Sequence, residues 1–184
     1  MPYLPGGSLA EPVGVLPVER ALAVLADAAR AVADLHAAGI VHRDVKPANI
    51  LLDRDRDGDR GKLADLGLAH VFAEGMVVTG MGPLDSVEYV DPAQLLGEPP
   101  APAHDVWSLG VTVHRVLAGT GVHGPLPPDD GLLALRRVVS TPPVVSDTLA
   151  APVADLVRDC LAPAERRPDA ASVAARLSTL DGHR

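Results

Sequence analysis

Apolar residues recur in steps of three and four from Pro17 to about Ala38, and this spacing predicts an amphipathic helix. Gly39 follows the last apolar position and is expected to end the helix. Two short apolar runs then occur at 50–52 and 62–64, on either side of a polar stretch rich in Asp and Arg. These two runs predict a β-hairpin with a long loop.

Residues 105–117 are apolar on nearly every side, which predicts a buried helix because a helix without a polar face is seldom exposed. Residues 68–91 have no sustained period and contain three glycines, so we predict an extended loop of the kind that carries function. Ser8 and Glu11 have capping-box spacing and predict a short helix. Further amphipathic helices are predicted near 130–139, 149–161 and 169–180.

The composition predicts one folded domain and limits its partners. The chain has 184 residues, of which 47% are hydrophobic and 22% charged, so it has ample material for a core and is not of the disordered class. A formal net charge of −8 argues against a nucleic-acid or anionic-membrane partner. Two lysines against fourteen arginines, in an Ala- and Pro-rich background, indicate a GC-rich bacterial genome.

Cysteine usage and the lack of sorting signals predict a cytoplasmic protein. Cys160 is the only cysteine, which excludes an internal disulfide and a Cys-based zinc site. No apolar run reaches the ~18 residues that a membrane span requires, so we expect no membrane segment in this chain. The first residues also lack the basic and apolar regions of a signal peptide.

A polar loop between the first helix and the hairpin contains groups suited to phosphate chemistry. Asp44 can accept a proton from an attacking hydroxyl, and Lys46 can neutralise charge on a phosphate. Asn49 offers a carbonyl oxygen to a hard cation such as Mg²⁺. Asn49 directly precedes the first strand of the hairpin and Asp65 directly follows the second, so hairpin geometry predicts that they lie close together. Together they form a candidate oxygen-lined metal site.

The sequence His-Arg-Asp-x-x-x-x-Asn at 42–49, followed by Asp-Leu-Gly at 65–67, resembles the catalytic loop and metal-binding motif of protein kinases. The variant Asp-x-Lys-Pro-x-Asn is the form found in eukaryotic-type Ser/Thr kinases. Other segments resemble the end of the activation loop, the buried central helix, the arginine–proline pair near the end of the domain, and the hinge between the lobes: 86–92, 105–110, 167–168 and 1–9. The resemblance covers essentially the whole chain.

The resemblance implies the fold of a kinase C-terminal lobe. This fold is α+β and mainly α, with helices around a buried central helix and a small β-hairpin that carries the catalytic and metal-binding loops. It implies one domain over 1–184, with the hinge at 1–9, the catalytic loop at 41–49 and the activation segment at 65–93. No counterpart of the Gly-rich loop, strand lysine and partner glutamate is found, so we expect the N-lobe to be absent and to come from upstream sequence.

The resemblance also implies roles at the phosphoryl-transfer site. Asp44 would be the catalytic base, and Lys46 would contact the γ-phosphate of ATP. Asn49 and Asp65 would be the Mg²⁺ ligands. Ser86 occupies the position of a Ser or Thr that hydrogen-bonds the base and the lysine. The substrate would be a protein with a Ser or Thr hydroxyl.

For the nucleotide base, the resemblance implies that Leu51 forms the floor under adenine. Backbone groups of Pro2 and Leu4 would meet the adenine edge. Arg43 would pair with a phosphorylated activation loop, for which Thr79 is the best placed acceptor. ATP and Mg²⁺ are therefore the expected cofactors.

Three departures from the family pattern qualify these expectations. Without a Gly-rich loop, ATP has a floor and no lid, so this chain by itself should bind it weakly. Ala93 stands where the family has a glutamate that pairs with Arg167, so we expect Arg167 to find another acceptor, for which neighbouring Asp91 is one candidate. Asp85 replaces a glycine before Ser86, which should stiffen the loop that faces the substrate.

Two alternatives to a Ser/Thr protein kinase stay open from the sequence. A non-catalytic kinase-like interaction module is favoured by the missing nucleotide lid and by Ala93, and is disfavoured by the intact catalytic loop. A small-molecule phosphotransferase of the aminoglycoside type shares the Asp-x-x-x-x-Asn spacing. Lys46 and the helix that begins near Asp105 favour a protein kinase over that class.

Overall fold

The computed structural model describes residues 6–11, 16–55, 58–65 and 84–181. These residues form six α-helices and one two-stranded sheet, which confirms the predicted fold class. In chain order, the elements are α1 (Val18–Ala37), β1 (Ile50–Asp55), β2 (Gly58–Leu63), α2 (Pro92–Leu95), α3 (Pro102–Ala118), α4 (Gly131–Ser140), α5 (Ala151–Cys160) and α6 (Ala170–Asp181). Short 3₁₀ helices occur at Pro47–Asn49, Leu84–Tyr89 and Ala164–Arg166. No helix within these ranges is long and apolar enough to cross a membrane.

Helix α3 lies at the centre of the molecule, as its all-round apolar sequence predicts. Every residue from His104 to His114 is buried, and the helix contacts α1, α5 and α6. Helix α1 packs along α6 and contributes its buried face to this core. The largest fully buried apolar side chains come from α1, the hairpin, α3, α5 and α6: Leu25, Ile50, Leu52, Leu109, Leu156 and Leu177. Their removal from water is the main stabilising contribution to the fold.

The hairpin is confirmed, but the prediction of a long loop within it is wrong. Strands β1 and β2 pair antiparallel from Ile50 opposite Leu63 to Asp55 opposite Gly58. The strands therefore continue through most of the polar stretch that separates the two apolar runs. The hydrogen bonds between the strands are made by backbone N–H and C=O groups. Polar residues can therefore extend the strands beyond the apolar runs from which the hairpin was predicted.

The hairpin gains a third, short partner from the N-terminal segment. Leu9 N donates to Ile50 O at 2.9 Å, and Leu52 N donates to Gly7 O at 2.9 Å. Ser8 lies opposite Leu51 in an antiparallel bridge, and its Oγ accepts from Glu11 N at 3.4 Å, the contact that the capping-box spacing predicts. Residues 9–11 nevertheless form a bend and not the predicted helix, because the backbone groups of Gly7 and Leu9 pair with β1.

Strand β2 is fastened directly to α1. Gly61 N donates to Asp27 Oδ2 at 3.1 Å. A Cβ built on Gly61 would overlap the carbonyl oxygen of Val24, so only glycine lets the strand approach the helix this closely. The core helix thereby fixes the hairpin, and the hairpin fixes the polar loop that enters β1.

Candidate active site

The side chains of Asp44 and Asn49 are joined by direct hydrogen bonds. Asn49 Nδ2 lies 2.8 Å from Asp44 Oδ2 and 2.8 Å from the Asp44 carbonyl oxygen. Both of these oxygens can only accept, so the atom that faces them must be the amide NH₂. Asn49 Oδ1 is therefore the atom left to meet a ligand, and it accepts no hydrogen bond from the residues that the structure describes.

Lys46 connects this pair to a segment forty positions further along the chain. Its Nζ lies 2.8 Å from Asp44 Oδ2 and donates to Ser86 Oγ at 2.8 Å. Ser86 belongs to the 3₁₀ helix Leu84–Tyr89. Three of the predicted catalytic side chains, Asp44, Lys46 and Ser86, thus form one connected network. The bond from Ser86 goes to the lysine, and among the described contacts none joins it to Asp44.

Asp65 follows β2 at the end of the hairpin nearest this network. Ala64 N donates to the carbonyl oxygen of Asn49 at 2.8 Å, which extends the ladder by one step beyond Ile50 and Leu63. Asp65 is the next residue, with φ 65°, and its carboxylate is exposed. It forms no hydrogen bond or ion pair within the described part of the chain.

The predicted adenine-binding positions are only partly described. Leu51 is half-buried on β1, opposite Ser8. Pro2 and Leu4 lie outside the described residues, as does Thr79. No cluster of three or more His, Cys, Asp or Glu side chains suited to a metal is found where the structure describes the chain. The candidate metal ligands are therefore the amide of Asn49 and the single carboxylate of Asp65.

A buried carboxylate from α3 holds the polar loop in shape. Arg43 has φ 72°, in the left-handed region that is strained for a side chain of this size. Asp105 Oδ1 accepts from Arg43 N at 2.8 Å, and Asp105 Oδ2 accepts from His42 N at 2.8 Å. His36 Nε2 makes a third contact to Asp105 Oδ2, also at 2.8 Å. These bonds offset the strain and anchor the loop to the centre of the core.

His42 links the loop to the hairpin and is fully buried. Its Nε2 lies 3.1 Å from the carbonyl oxygen of Ala64, which can only accept, so this nitrogen carries the proton. Its Nδ1 then accepts from Asp44 N at 3.3 Å. The His42 ring therefore connects the backbone of Asp44 to Ala64, the residue before Asp65. Both ring nitrogens are used in these bonds, so His42 is not placed to act as a base.

Comparison with known proteins decides the family. The family model described as protein kinase domain matches residues 1–175. The chain belongs to the protein kinase family. It is 34% identical over 189 residues to the serine/threonine-protein kinase PknL of Mycobacterium tuberculosis, covering 98% of this chain and 46% of that protein. It is 36% identical over 155 residues to PknA of the same organism, covering 83% of this chain and 34% of the relative.

A third relative matches a similar part of this chain. The serine/threonine-protein kinase drp72 of Corynebacterium efficiens is 33% identical over 185 residues, covering 97% of this chain and 34% of its own length. The chain therefore spans less than half the length of these curated kinases. These relatives support membership of a phosphotransferase family.

The departure at Ala93 is compensated within the kinase fold. Arg167 Nη1 lies 2.5 Å from Asp91 Oδ2, with both side chains almost fully buried. Arg167 also donates to the carbonyl oxygens of Ala162 and Ala103 at 2.7 and 2.8 Å. The prediction that Asp91 replaces the missing glutamate is confirmed, and the buried guanidinium keeps a charged partner.

Asp105 and His36 position the polar loop, and neither role was predicted from the sequence. Glu88 was also given no role. One signal was available for Asp105, because a single carboxylate in an otherwise apolar helix must find hydrogen-bond donors in the core. His36 had no such signal, since its partner is 69 positions away. Glu88 is buried beside Arg115, and no pattern in its neighbours indicates this.

Proposed function

We propose that this chain carries the catalytic half of a Ser/Thr protein kinase, which transfers the γ-phosphoryl group of Mg-ATP to a Ser or Thr hydroxyl of a protein substrate. The observation that carries the proposal is the hydrogen-bonded network of Asp44, Lys46, Asn49 and Ser86. The printed names of the relatives, all serine/threonine-protein kinases, support the choice of acceptor.

In this proposal Asp44 is the catalytic base. Its Oδ2 is held by the ammonium of Lys46 and the amide of Asn49, each at 2.8 Å. Its Oδ1 accepts no hydrogen bond from the described residues, so it is the oxygen available to a substrate hydroxyl. The two donors fix the direction in which this free oxygen points, and positioning of a general base is worth about 10²–10⁴-fold in rate.

Lys46 is proposed to serve two purposes. Its charge neutralises part of the negative charge on the γ-phosphate, as a compact ammonium does in phosphate sites. Its bond to Ser86 Oγ at 2.8 Å ties the catalytic loop to the segment 86–92, on which a protein substrate would lie. The same cation therefore aligns the phosphate, the base and the substrate-facing segment.

Asn49 and Asp65 are proposed to hold Mg²⁺. The donor set fits, because an amide oxygen and a carboxylate are both hard oxygen ligands. The NH₂ of Asn49 bonds to Asp44, which leaves its oxygen for a metal, and the exposed carboxylate of Asp65 has no ion pair among the residues that the structure describes. Mg²⁺ bound there would neutralise charge on the phosphates. Asn49 also keeps its amide against Asp44, so it links the metal site to the base.

For the nucleotide we propose the floor at Leu51 and backbone contacts at Pro2 and Leu4, within a hinge over 1–9. The activation segment is proposed over 65–93. The 184 residues include no Gly-rich loop, so we expect Mg-ATP to bind this chain weakly when it is tested by itself.

Mg-ATP titration of the purified chain by calorimetry tests the proposal. We expect saturable binding that is lost in Asp65→Ala and kept in Asp34→Ala, which removes an exposed carboxylate from α1. Transfer of labelled phosphate to an array of Ser and Thr peptides is the second measurement. Absence of Mg-ATP binding to a folded chain would favour the non-catalytic module over the kinase.

A further inference from the structure

A carboxylate in the middle of α1 contacts strand β2 and has no part in the proposal above. Asp27 Oδ2 accepts a hydrogen bond from Gly61 N at 3.1 Å. Asp27 Oδ1 accepts from Arg30 Nη1, three residues further along the same helix. Arg30 Nη2 in turn donates to Ser178 Oγ on α6 at 3.0 Å. Contacts on both oxygens therefore fix the direction in which the carboxylate of Asp27 points.

The N–H group of Gly61 points away from the hairpin, so it needs an acceptor outside the sheet. Gly61 lies opposite Leu52, and Leu52 N donates outwards to Gly7 O at 2.9 Å. In an antiparallel pair, two opposite residues either bond to each other or both point away, so Gly61 N points outwards on the other edge. A backbone N–H that is shielded from water has to find a partner, and Asp27 is that partner.

The backbone of Gly61 lies directly against α1. A Cβ built on Gly61 would overlap the carbonyl oxygen of Val24, which is three residues before Asp27 in the helix. Positions three apart are neighbours on a helix surface, so the close backbone contact and the hydrogen bond lie side by side. Together they set the distance between β2 and α1 and the register of the strand along the helix.

Asp65 depends on this strand for its position. It is four residues after Gly61, and its exposed carboxylate has no hydrogen bond or ion pair within the described part of the chain. Asn49, by contrast, is held by two bonds to Asp44. Asp65 also has φ 65°, which a residue with a side chain keeps only where the chain around it is held in place. Movement of β2 would therefore displace Asp65 while Asn49 stays bonded to the polar loop.

We propose that Asp27 is a positioning residue for the phosphoryl-transfer site: it holds β2 against α1 and thereby keeps the carboxylate of Asp65 beside Asn49, where both would bind Mg²⁺. The inference rests on the proposed function, since it concerns the metal site of that function. Asp27 itself is not placed to touch metal or nucleotide, so its removal should weaken metal binding and not abolish it. Loss of a supporting contact at a metal site lowers affinity by about 10–100-fold.

Binding of Mn-ATP tests this proposal, because Mn²⁺ takes the same carboxylate and carbonyl ligands as Mg²⁺ and is paramagnetic. Mn-ATP is titrated with the full 184-residue chain, and the relaxation rate of water protons reports protein-bound Mn²⁺ without any phosphate transfer. The part of the binding that is lost in Asp65→Ala belongs to the candidate metal site. We expect Asp27→Ala to lower the affinity of that site for Mn-ATP by about tenfold. Asp27 is 29% exposed, so its substitution should leave the fold intact.

Three further variants separate positioning of β2 from loss of a helical ion pair. Asp27→Asn keeps an oxygen for Gly61 N, while its NH₂ faces Arg30, which is 54% exposed and can turn away, so affinity should return to within about twofold of wild type. Arg30→Gln removes the partner of Oδ1, keeps the bond to Gly61 and should behave as wild type. Asp155→Ala breaks a pair with Arg158 of the same i,i+3 spacing on α5 and is the matched control.

The outcomes separate this inference from the kinase proposal. Equal binding of Mn-ATP by wild type and Asp27→Ala, or a loss that Asp27→Asn does not restore, overturns the positioning role. A loss that Asp27→Asn restores, with faster deuterium exchange in residues 58–65 of Asp27→Ala, supports it. This result holds even where no peptide is phosphorylated, in which case only the proposed function fails. Phosphate transfer at the same rate by wild type and Asp27→Ala would support the proposed function and overturn the role of Asp27.

Discussion

The two oxygens of the Asp44 carboxylate have different surroundings. Oδ2 faces the ammonium of Lys46 and the amide of Asn49, whereas Oδ1 has no donor within the described residues. An oxygen without a protein donor is free to meet a substrate hydroxyl, as the proposed role of Asp44 requires. That role can be tested.

Asp44→Asn should reduce phosphate transfer by about 10²–10⁴-fold, because the amide is too weak a base to accept the hydroxyl proton. Mg-ATP affinity should stay close to wild type, since Asp44 is not a proposed metal ligand. The measurements are the rate of labelled phosphate transfer and a calorimetric titration of the same preparation. Asp34→Asn on the exposed side of α1 is the control. A variant that loses both properties together would indicate a role in folding.

The ion pair of Arg167 and Asp91 should matter far more than the surface pairs do. Both side chains are at most 5% exposed, so Asp91→Ala leaves a buried guanidinium without its counter-charge, at a cost of about 3–5 kcal/mol. The pair of Arg158 and Asp155 is 58% and 65% exposed, and Asp155→Ala should cost about 1 kcal/mol or less.

Denaturant unfolding of these variants measures the difference. The double variant Asp91→Ala/Arg167→Leu should lose less stability than the sum of the two single variants, because each single change leaves an unpaired charge. Equal costs for the buried and the exposed pair would show that Arg167 draws its stability from the carbonyls of Ala103 and Ala162 and not from Asp91.

At the scale of elements, His114 ties α3 to two later segments. Its Nδ1 lies 2.9 Å from the carbonyl oxygen of Thr120, so Nδ1 carries the proton. Its Nε2 accepts from Ser146 N at 2.9 Å. Protonation of Nε2 would set two N–H groups against each other and break the second bond. Burial lowers the pKa of His114, a backbone bond to Thr120 raises it, and Arg115 lowers it further.

A lowered pKa in the folded state gives stability a definite pH dependence. The unfolded chain takes up a proton near the ordinary value of about 6.5, while folded His114 resists it, so stability is lost as pH falls below about 6.5. The pKa of His123 is also lowered, mainly by burial and further by the nearby charge of Arg137, so its contribution to stability changes with pH in the same direction. Each histidine contributes at most about 1.4 kcal/mol per pH unit.

His114→Gln removes this contribution while an amide still can donate to Thr120 and accept from Ser146. The slope of unfolding free energy against pH, measured by urea melts between about pH 5 and 7, should be smaller than in wild type. The pKa of Glu88 is raised, so its contribution to stability changes with pH in the opposite direction. This contribution is the same in wild type and His114→Gln, so it cancels when the two slopes are compared. An unchanged slope would mean that His114 titrates alike in folded and unfolded chains.

The elements themselves were predictable where one chemical pattern determined each of them. Helix α1 was predicted to within a residue or two because its apolar stripe spans several turns. The prediction of a long hairpin loop was wrong because backbone pairing continues through Asp and Arg residues, which are not typical of strands. The predicted helix at Ser8 failed because the segment pairs with β1, a partner that local capping rules cannot detect.

On the scale of the whole molecule, the sequence predicts the residues of the candidate site better than it predicts the residues that hold them in place. Asp44, Lys46 and Asn49 fall within six consecutive positions, so a motif finds them. Ser86 required knowledge of the family, because it is forty positions from Lys46. The anchor at Asp105 depends on how α3 packs inside the lobe, and only the assembled fold shows that its two oxygens meet three donors.

This anchor predicts that disturbing the centre of the molecule will loosen the catalytic loop first. In Asp105→Asn only one side-chain oxygen remains. The NH₂ then faces the N–H of Arg43 in one orientation, and the N–H of His42 together with the ring of His36 in the other. Loss of hydrogen bonds to a charged acceptor costs about 1.5–3 kcal/mol each, and the left-handed backbone of Arg43 would then be held less firmly. Amide exchange should therefore speed up within residues 42–46.

Hydrogen–deuterium exchange read by mass spectrometry can locate this effect. Exchange in α6 and in the first turns of α1 should stay close to wild type, because these parts pack through apolar side chains and Asp105 bonds only to His36 in the last turn of α1. Asp159→Asn, an exposed carboxylate paired with Arg176, is the control and should leave the loop unchanged. A uniform rise in exchange across the lobe would mean that Asp105 stabilises the whole core. A rise confined to the loop would mean that Asp105 acts locally, by holding residues 42–46 against α3.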